Sequence, residues 1–274
     1  MPVLDDVVRR ALDWPVEHVA VAVVSAEGAV AATAGDIERE FPLASVTKIL
    51  TAYAVLAAVD AKLLSWDTPA GPEGSTVRHL AAHASGLSFH DATWVQAAPG
   101  TRRIYSNAGF EVLGETVAAA SGQPFTAYLD AAVLQPLGMA ASRLDGSPGA
   151  GAVSTVADLC RLAAELQSPT LISARLLAEA TEVAYPGLAG VLPGYGRQQP
   201  NDWGLGWEIR GSKDPHWTGA TSSPETFGHF GRSGTFLWVD PEAGLACLAL
   251  TDRDFGDWAI QAWPAFIDQV LAQR

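Results

Sequence analysis

The amino-acid sequence predicts an α+β protein: an antiparallel sheet built from both chain ends, flanked by the N- and C-terminal helices, with a mainly helical lobe inserted between its halves. Three observations carry this. β-Rich runs appear near the N-terminus and return after residue 200, the stretch between them reads almost throughout as helix, and an apolar helical stripe stands at each end. The 274 residues then form one domain, with a sheet lobe over approximately 1–60 and 200–274 and a helical lobe over approximately 61–199. Between two such lobes is where an active site is expected.

Val3, Leu4, Val7, Val8, Ala11 and Leu12 set the first helical stripe, over residues 3–13. Val16 to Ser25 and Ala29 to Thr33, joined at Ala26-Glu27-Gly28, read as a hairpin. A helix starts at Ser45 and ends near Asp60, and the Pro, Gly and Ser content of 65–74 marks a loop. Thr76 to Ala84 reads as a short helix stopped at Ser85-Gly86. Further helices are expected at Ala108 to Ala120, Phe125 to Leu134, Thr155 to Leu166 and Ser173 to Glu182. Strands follow at Trp203 to Ile209, Thr235 to Val239 and Leu245 to Thr251, the last two joined by a turn at 240–244, and Trp258 to Leu271 closes the chain as a helix.

A hydrophobic content of 49% with 17% charged residues is that of a soluble globular enzyme and excludes disordered or fibrous classes. The net charge of −13 argues against nucleic acid and against anionic membrane surfaces, both of which select basic patches. The first ten residues lack the apolar core of a signal peptide, and no run reaches the roughly 18 apolar residues of a transmembrane helix. Cys160 and Cys247 sit in apolar surroundings and read as buried free thiols. Together these predict a cytoplasmic protein.

Ser45-Val46-Thr47-Lys48 opens the apolar run Ile49 to Val59. Residues three apart are helix neighbours, so hydroxyl and amine share a face. A lysine buried by the following apolar residues has a depressed pKa, and its neutral form can take the serine's proton. The helix N-terminus favours negative charge beside the serine. The competing reading is a serine that caps a helix, with an exposed lysine one turn on. Tyr105-Ser106-Asn107 lies on a loop before a helix, and His229-Phe230-Gly231 opens the strands near the end, where glycine permits close approach. Taken singly, Tyr105 reads equally as an anchored loop aromatic, Asn107 as a helix cap and His229 as a core histidine. His79 and His83, four apart, could share a helix face, but Leu80, Ala81 and Ala82 supply no glutamate, and no metal site is assigned.

In order and rough spacing these three motifs resemble the serine β-lactamase-like family, which includes class C β-lactamases, D-Ala-D-Ala carboxypeptidases and family VIII esterases. Phe41-Pro42-Leu43-Ala44, the segment Arg78 to Leu87, Pro99-Gly100, Pro136-Leu137-Gly138-Met139, Gly228 to Gly234 and Leu237 to Pro241 extend the likeness over roughly residues 15–255. The resemblance implies a β-lactamase/transpeptidase-like fold and an acyl-enzyme on Ser45, without a cofactor. Lys48 and Tyr105 would share the base role, Asn107 would hold Lys48 and the substrate, and His229 would polarise Tyr105. The backbone N–H groups of Ser45 and Arg232 would form the oxyanion hole.

One departure bears on the substrate. Where relatives that bind a carboxylate place threonine or serine in the third motif, this chain has Phe230, which removes a donor and narrows the space. Phe230, Gly231, Arg232 and Trp207 are assigned to substrate binding, with Arg232 either supplying a cation or pointing to solvent. Trp203, Trp207, Trp217, Trp238 and Phe227 are candidates for an apolar acyl pocket, with sheet packing as their alternative. The expected activity is that of an esterase on small acyl esters or amides. The alternatives are a β-lactamase or D-Ala-D-Ala carboxypeptidase, and a non-catalytic ligand-binding relative. The partner is a small-molecule acyl substrate, on a monomer or small homo-oligomer.

Overall fold

The protein is represented by a computed structural model that describes residues 3–274. β1 (Val19–Ser25) and β2 (Val30–Gly35) form the hairpin, and β8 (Glu208–Ile209), β9 (Phe227–Gly231), β10 (Thr235–Asp240) and β11 (Leu245–Thr251) come from the other chain end. They join as one antiparallel sheet in the order β2-β1-β11-β10-β9-β8, with Ala22 opposite Leu248 and Leu237 opposite both Leu248 and His229. The first and last strands of the chain are thus sheet neighbours, which closes the lobe across the inserted residues.

Both faces of this sheet are covered, so the central strands are apolar at successive positions instead of alternating with polar ones. Val21, Val23, Phe236, Trp238 and Cys247 face α1 (Leu4–Arg9) and α9 (Asp257–Leu271), where Val7, Val8, Trp263 and Ile267 complete one core. Ala20, Ala22, Val24, Leu237, Val239 and Leu248 face the other way, into a larger core. That second core contains α2 (Thr47–Asp60), α4 (Asn107–Ser121), α5 (Phe125–Leu129), α7 (Val156–Gln167) and α8 (Ala174–Thr181). α2 is buried on nearly every side, against α4, α5, α8 and β9. α7 lies directly on β1, β10 and β11, so this face of the sheet is covered by helices from both sides of residue 60.

The inserted lobe is less helical than its sequence suggests. β3 (Phe41–Pro42), β4 (Arg143–Leu144) and β5 (Ala152–Ser154) make a small sheet, and β6 (Gly190–Leu192) pairs with β7 (Gly196–Gln198). α3 covers only Val77–Ala81, because His83 turns left-handed at φ 53°, so His79 and His83 do not share a helix face. His79 stacks on Tyr185 while His83 enters the core. The strand expected over Trp203 to Ile209 is reduced to Glu208–Ile209. The chain before it docks on the end of α8 instead, with the N–H of Leu205 donating to the carbonyl of Ala180 and that of Ala184 to Trp203. Cys160 and Cys247 are free and buried, and among the described residues no helix is long and apolar enough to cross a membrane.

Arg103, 3% exposed, binds these irregular segments together. Its guanidinium donates to the carbonyls of Asn201 (3.0 Å), Ala184 (2.7 Å), Tyr185 (3.2 Å) and Ala82. Removal of the donors while the acceptors stay buried leaves each carbonyl desolvated and unpaired. Arg103→Met is therefore expected to lower stability by about 3 kcal/mol in urea denaturation.

Candidate active site

The backbone around Ser45 is held from three sides. The Leu43 N–H donates to the Ala152 carbonyl at 2.9 Å, the Thr235 hydroxyl to the Leu43 carbonyl at 2.9 Å, and the Ser233 hydroxyl to the Pro42 carbonyl at 2.7 Å. Thus fixed, Ala44 adopts a left-handed φ of 45°, a conformation an alanine holds only when its surroundings over-determine it. A 3₁₀ turn over Ala44–Val46 then runs into α2 and leaves Ser45 at the positive end of a buried 14-residue helix. Gly231 is required where β9 meets this turn. A Cβ there would run into the Leu43 carbonyl and the Thr235 hydroxyl and stand 3.2 Å from the Ser45 amide nitrogen.

Lys48 is completely buried and donates to Asn107 Oδ1 (2.5 Å) and to the Gly149 carbonyl (2.7 Å). Its Nζ lies 4.7 Å from the Tyr105 ring centroid and 5.4 Å from that of Phe110. Burial without a paired carboxylate holds the amine well below an ordinary lysine, and Glu111 opposes this only in part. Asn107 is free to bind Lys48 because Ser106, not Asn107, caps α4: the Ser106 hydroxyl accepts from the Gly109 N–H at 2.9 Å.

Tyr105 stands between Lys48 and His229. Its hydroxyl is 3.3 Å from His229 Nε2, and Ser45 lines the same cavity. The His229 tautomer follows from the other ring nitrogen. Nδ1 is 2.6 Å from the Phe230 carbonyl, which can only accept, so Nδ1 carries the proton and Nε2 is left as an acceptor. The Tyr105 O–H therefore donates to His229, which leaves its oxygen lone pairs free to accept. Burial, reinforced by the Lys48 charge, pushes His229 down to about 3, so the imidazole is neutral across the working range. Burial also raises the Tyr105 phenol above its usual value.

Two contributors had only weak sequence signals. His83 packs its ring 4.6 Å from that of Tyr105 and accepts the Ser106 N–H on Nδ1 at 3.1 Å, which sets the loop bearing Tyr105 and Asn107. Glu208, 2% exposed, lies among Trp203, Tyr105 and His229 in the lining of a cavity of about 210 Å³ over Ser45. It accepts from His216 Nε2 (2.8 Å), Lys213 Nζ (3.0 Å) and Trp217 Nε1. Burial works to raise its pKa, yet Lys213 and His216 hold it well below the carboxylate range. An acid inside an apolar, tryptophan-rich run, with lysine and histidine five and eight residues on, was the available sign.

The structure brings together Ser45, Lys48, Tyr105, Asn107 and His229, and it revises the assigned substrate contacts. Trp207 is fully buried against Phe227 in the larger core, because the turn through Gly206, at φ 109°, directs it to the α2 side. Trp203 takes the cavity position, whereas Trp217 and Trp238 belong to the core below α9. Phe230 reaches the cavity with one edge only, since its ring packs among Trp217, Phe255 and Trp263. The Arg232 side chain is 87% exposed and lies 3.6 Å from Asp254, so it points to solvent. Glu17, His18 and Asp252 are the metal-type grouping among the described residues. They lie outside this lining, with the Asp252 carboxylate already accepting the N–H groups of Glu17 and His18.

A family model described as beta-lactamase matches residues 19–272. A solved structure of a beta-lactamase from Mycobacterium bovis superposes with a TM-score of 0.95 at 57% identity, covering 97% of this chain and 98% of that one. An esterase from Burkholderia gladioli is 34% identical over 42% of this chain and 41% of its own length. A putative D-alanyl-D-alanine carboxypeptidase from Salmonella agona is 25% identical over 61% of this chain and 49% of its own. The chain thus spans less than half the length of these two curated relatives.

With His229 already neutral above about pH 3, kcat/KM is expected to show no histidine limb near pH 6.5 and to rise with pH only as the Lys48 ammonium deprotonates. A pH–rate profile of the wild type checks this. Stability has the same sign. His83, His216 and His229 are buried with lowered pKa values, so below about pH 6.5 the unfolded chain binds more protons than the folded one, and stability is lost as pH falls from there toward about 3. Denaturant melts at pH 7, 6, 5 and 4 should show this steady decline. Tyr105→Phe should lower kcat by about 10²–10⁴ with a small change in KM, measured by steady-state kinetics.

Proposed function

Because the chain belongs to the beta-lactamase family, we propose that it is a serine hydrolase of the esterase type, which acylates Ser45 with a small, uncharged acyl group. The observation that carries this reading is the anionic Glu208 carboxylate in the lining of the cavity, with the Arg232 guanidinium turned away from it. A substrate carboxylate next to the scissile bond would meet Glu208, whose partners Lys213, His216 and Trp217 are already engaged, and no arginine side chain turned inward to hold it. An apolar acyl chain meets Trp203, Leu192 and Phe230 instead.

Ser45 Oγ attacks the ester carbonyl and its proton passes to neutral Lys48, while the Tyr105 O–H stays donated to Nε2 of His229, a base too weak to take it. The bonds of Lys48 to Asn107 and Gly149 keep the amine beside the tyrosine ring. The tetrahedral oxyanion is met by the Ser45 N–H at the start of α2 and by the amide of Arg232, which Gly231 allows to come close. Collapse breaks the bond to the leaving oxygen, Tyr105 gives it a proton and is reprotonated by the Lys48 ammonium, and water then releases the acid by the same path in reverse.

The likeness to the Mycobacterium bovis beta-lactamase favours a second reading, β-lactam hydrolysis on the same serine. Turnover of p-nitrophenyl butyrate, nitrocefin and a D-alanyl-D-alanine peptide separates the two. We expect kcat/KM for the ester to exceed that for nitrocefin by about 100-fold, and Ser45→Ala to lower ester turnover by at least about 10³-fold. Nitrocefin turnover equal to ester turnover would put the β-lactamase reading first.

A further inference from the structure

The cavity over Ser45 adjoins a larger cleft of about 770 Å³, and Phe89 and Tyr105 line both. One wall of the cleft is made of three extended segments. Arg103 bridges Gly190 in parallel, and Val191 of β6 lies opposite Arg197 of β7. Successive side chains of extended backbone point to opposite faces. Arg103 points inward to its four carbonyls, so Arg102 and Ile104 point outward, and register puts Val191 and Arg197 on the same outer face. All four line the cleft.

Two guanidinium groups therefore overlook an apolar floor of Phe89, Ile104, Val191 and Pro193. Among the described residues the arginines in ion pairs are Arg78, Arg143 and Arg232, and neither Arg102 nor Arg197 is among them. In this they resemble most of the 14 arginines, of which three are in ion pairs; what sets them apart is that both line one concave wall. Two unpaired arginines in a concave site suit one ligand chemistry, a carboxylate or phosphate group bound by paired N–H donors.

We infer that this cleft holds the leaving-group half of the substrate, and that this half ends in an anionic group bound by Arg102 and Arg197. The inference rests on the ester reading above. Tyr105, which returns the proton to the leaving oxygen, stands at the junction of cavity and cleft, so the leaving group lies on the cleft side and the acyl group over Ser45. Arg102 is three residues of extended chain from Tyr105, up to about 10 Å between their Cα atoms, so an anion on Arg102 stands well away from the leaving oxygen. An α-amino acid leaving group, with its carboxylate two bonds from the nitrogen, does not reach that far. The substrate class is an ester of a long ω-hydroxy acid or of an ω-phosphorylated alcohol. Hydrolysis breaks the acyl C–O bond, the hydroxy compound leaves with the proton from Tyr105, and water supplies the hydroxyl of the released acid.

The test compares butyryl esters of an eight-carbon alcohol that ends in a carboxylate, a phosphate or a neutral methyl ester. The wild type should prefer the anionic esters by about tenfold, through KM, and the preference should vanish in Arg102→Gln/Arg197→Gln and at high salt. Turnover of p-nitrophenyl butyrate should stay unchanged in that variant. The ranking of carboxylate against phosphate identifies the source of the anion. Equal kcat/KM for charged and neutral esters in the wild type would overturn the inference, as would a double variant that slows p-nitrophenyl butyrate equally. Calorimetric binding to Ser45→Ala gives a readout independent of turnover: there the anionic esters should bind about tenfold more tightly than the neutral one, and equal binding overturns the inference. Failure of the wild type to cleave p-nitrophenyl butyrate counts against the esterase reading alone.

Discussion

The close approach of β9 to the turn before α2 is the constraint on which the site depends. Both partners are built for it: Gly231 has no side chain to hold them apart, and the hydroxyls of Ser233 and Thr235 clamp the carbonyls of Pro42 and Leu43. Because β9 belongs to the sheet and α2 to the core of the inserted lobe, this seam joins two structures that arise from distant parts of the chain. The left-handed Ala44 is what the seam imposes, and the Ser45 orientation is what it yields. His229, two residues earlier on β9, is brought to Tyr105 by the same contact.

Around that seam the charges are arranged by burial more than by pairing. Lys48 has hydrogen-bond acceptors but no paired carboxylate, and His229 is a buried neutral acceptor. Each is hydrogen-bonded but has no counter-charge, so burial favours its neutral form and costs folding free energy wherever the free group would be protonated. Glu208 is the counter-example, an anion satisfied by three donors. Its satisfaction lets it remain charged in an apolar lining, while Arg102 and Arg197 line the outer cleft.

Much of this was legible in the chain. The Ser45 to Lys48 spacing, the apolar run that buries the lysine and the separate strand groups at the two ends follow from residue pattern, and Tyr105, Asn107 and His229 came from motif resemblance. What pattern could not supply was the direction of side chains in irregular segments. Trp203 and Trp207 look equivalent in sequence, but the left-handed turn at Gly206 sends one to the cavity and the other to the core. His83 looked like the second histidine of a helix pair until its own left-handed backbone removed it from the helix. The paired strands β6 and β7 were missed because three-residue strands held by tertiary contacts carry little local signal.

The grip of Arg103 on carbonyls from residues 82, 184, 185 and 201 bears on how the site forms during folding. Those acceptors lie on segments up to 119 residues apart in sequence, and Arg103 is two residues from Tyr105. The tyrosine loop can settle only once the chain through Asn201 has been made, so the catalytic geometry belongs to the late, long-range contacts of the fold. A nascent chain that stops short of Asn201 would carry Ser45 and Lys48 and still lack the framework that sets Tyr105.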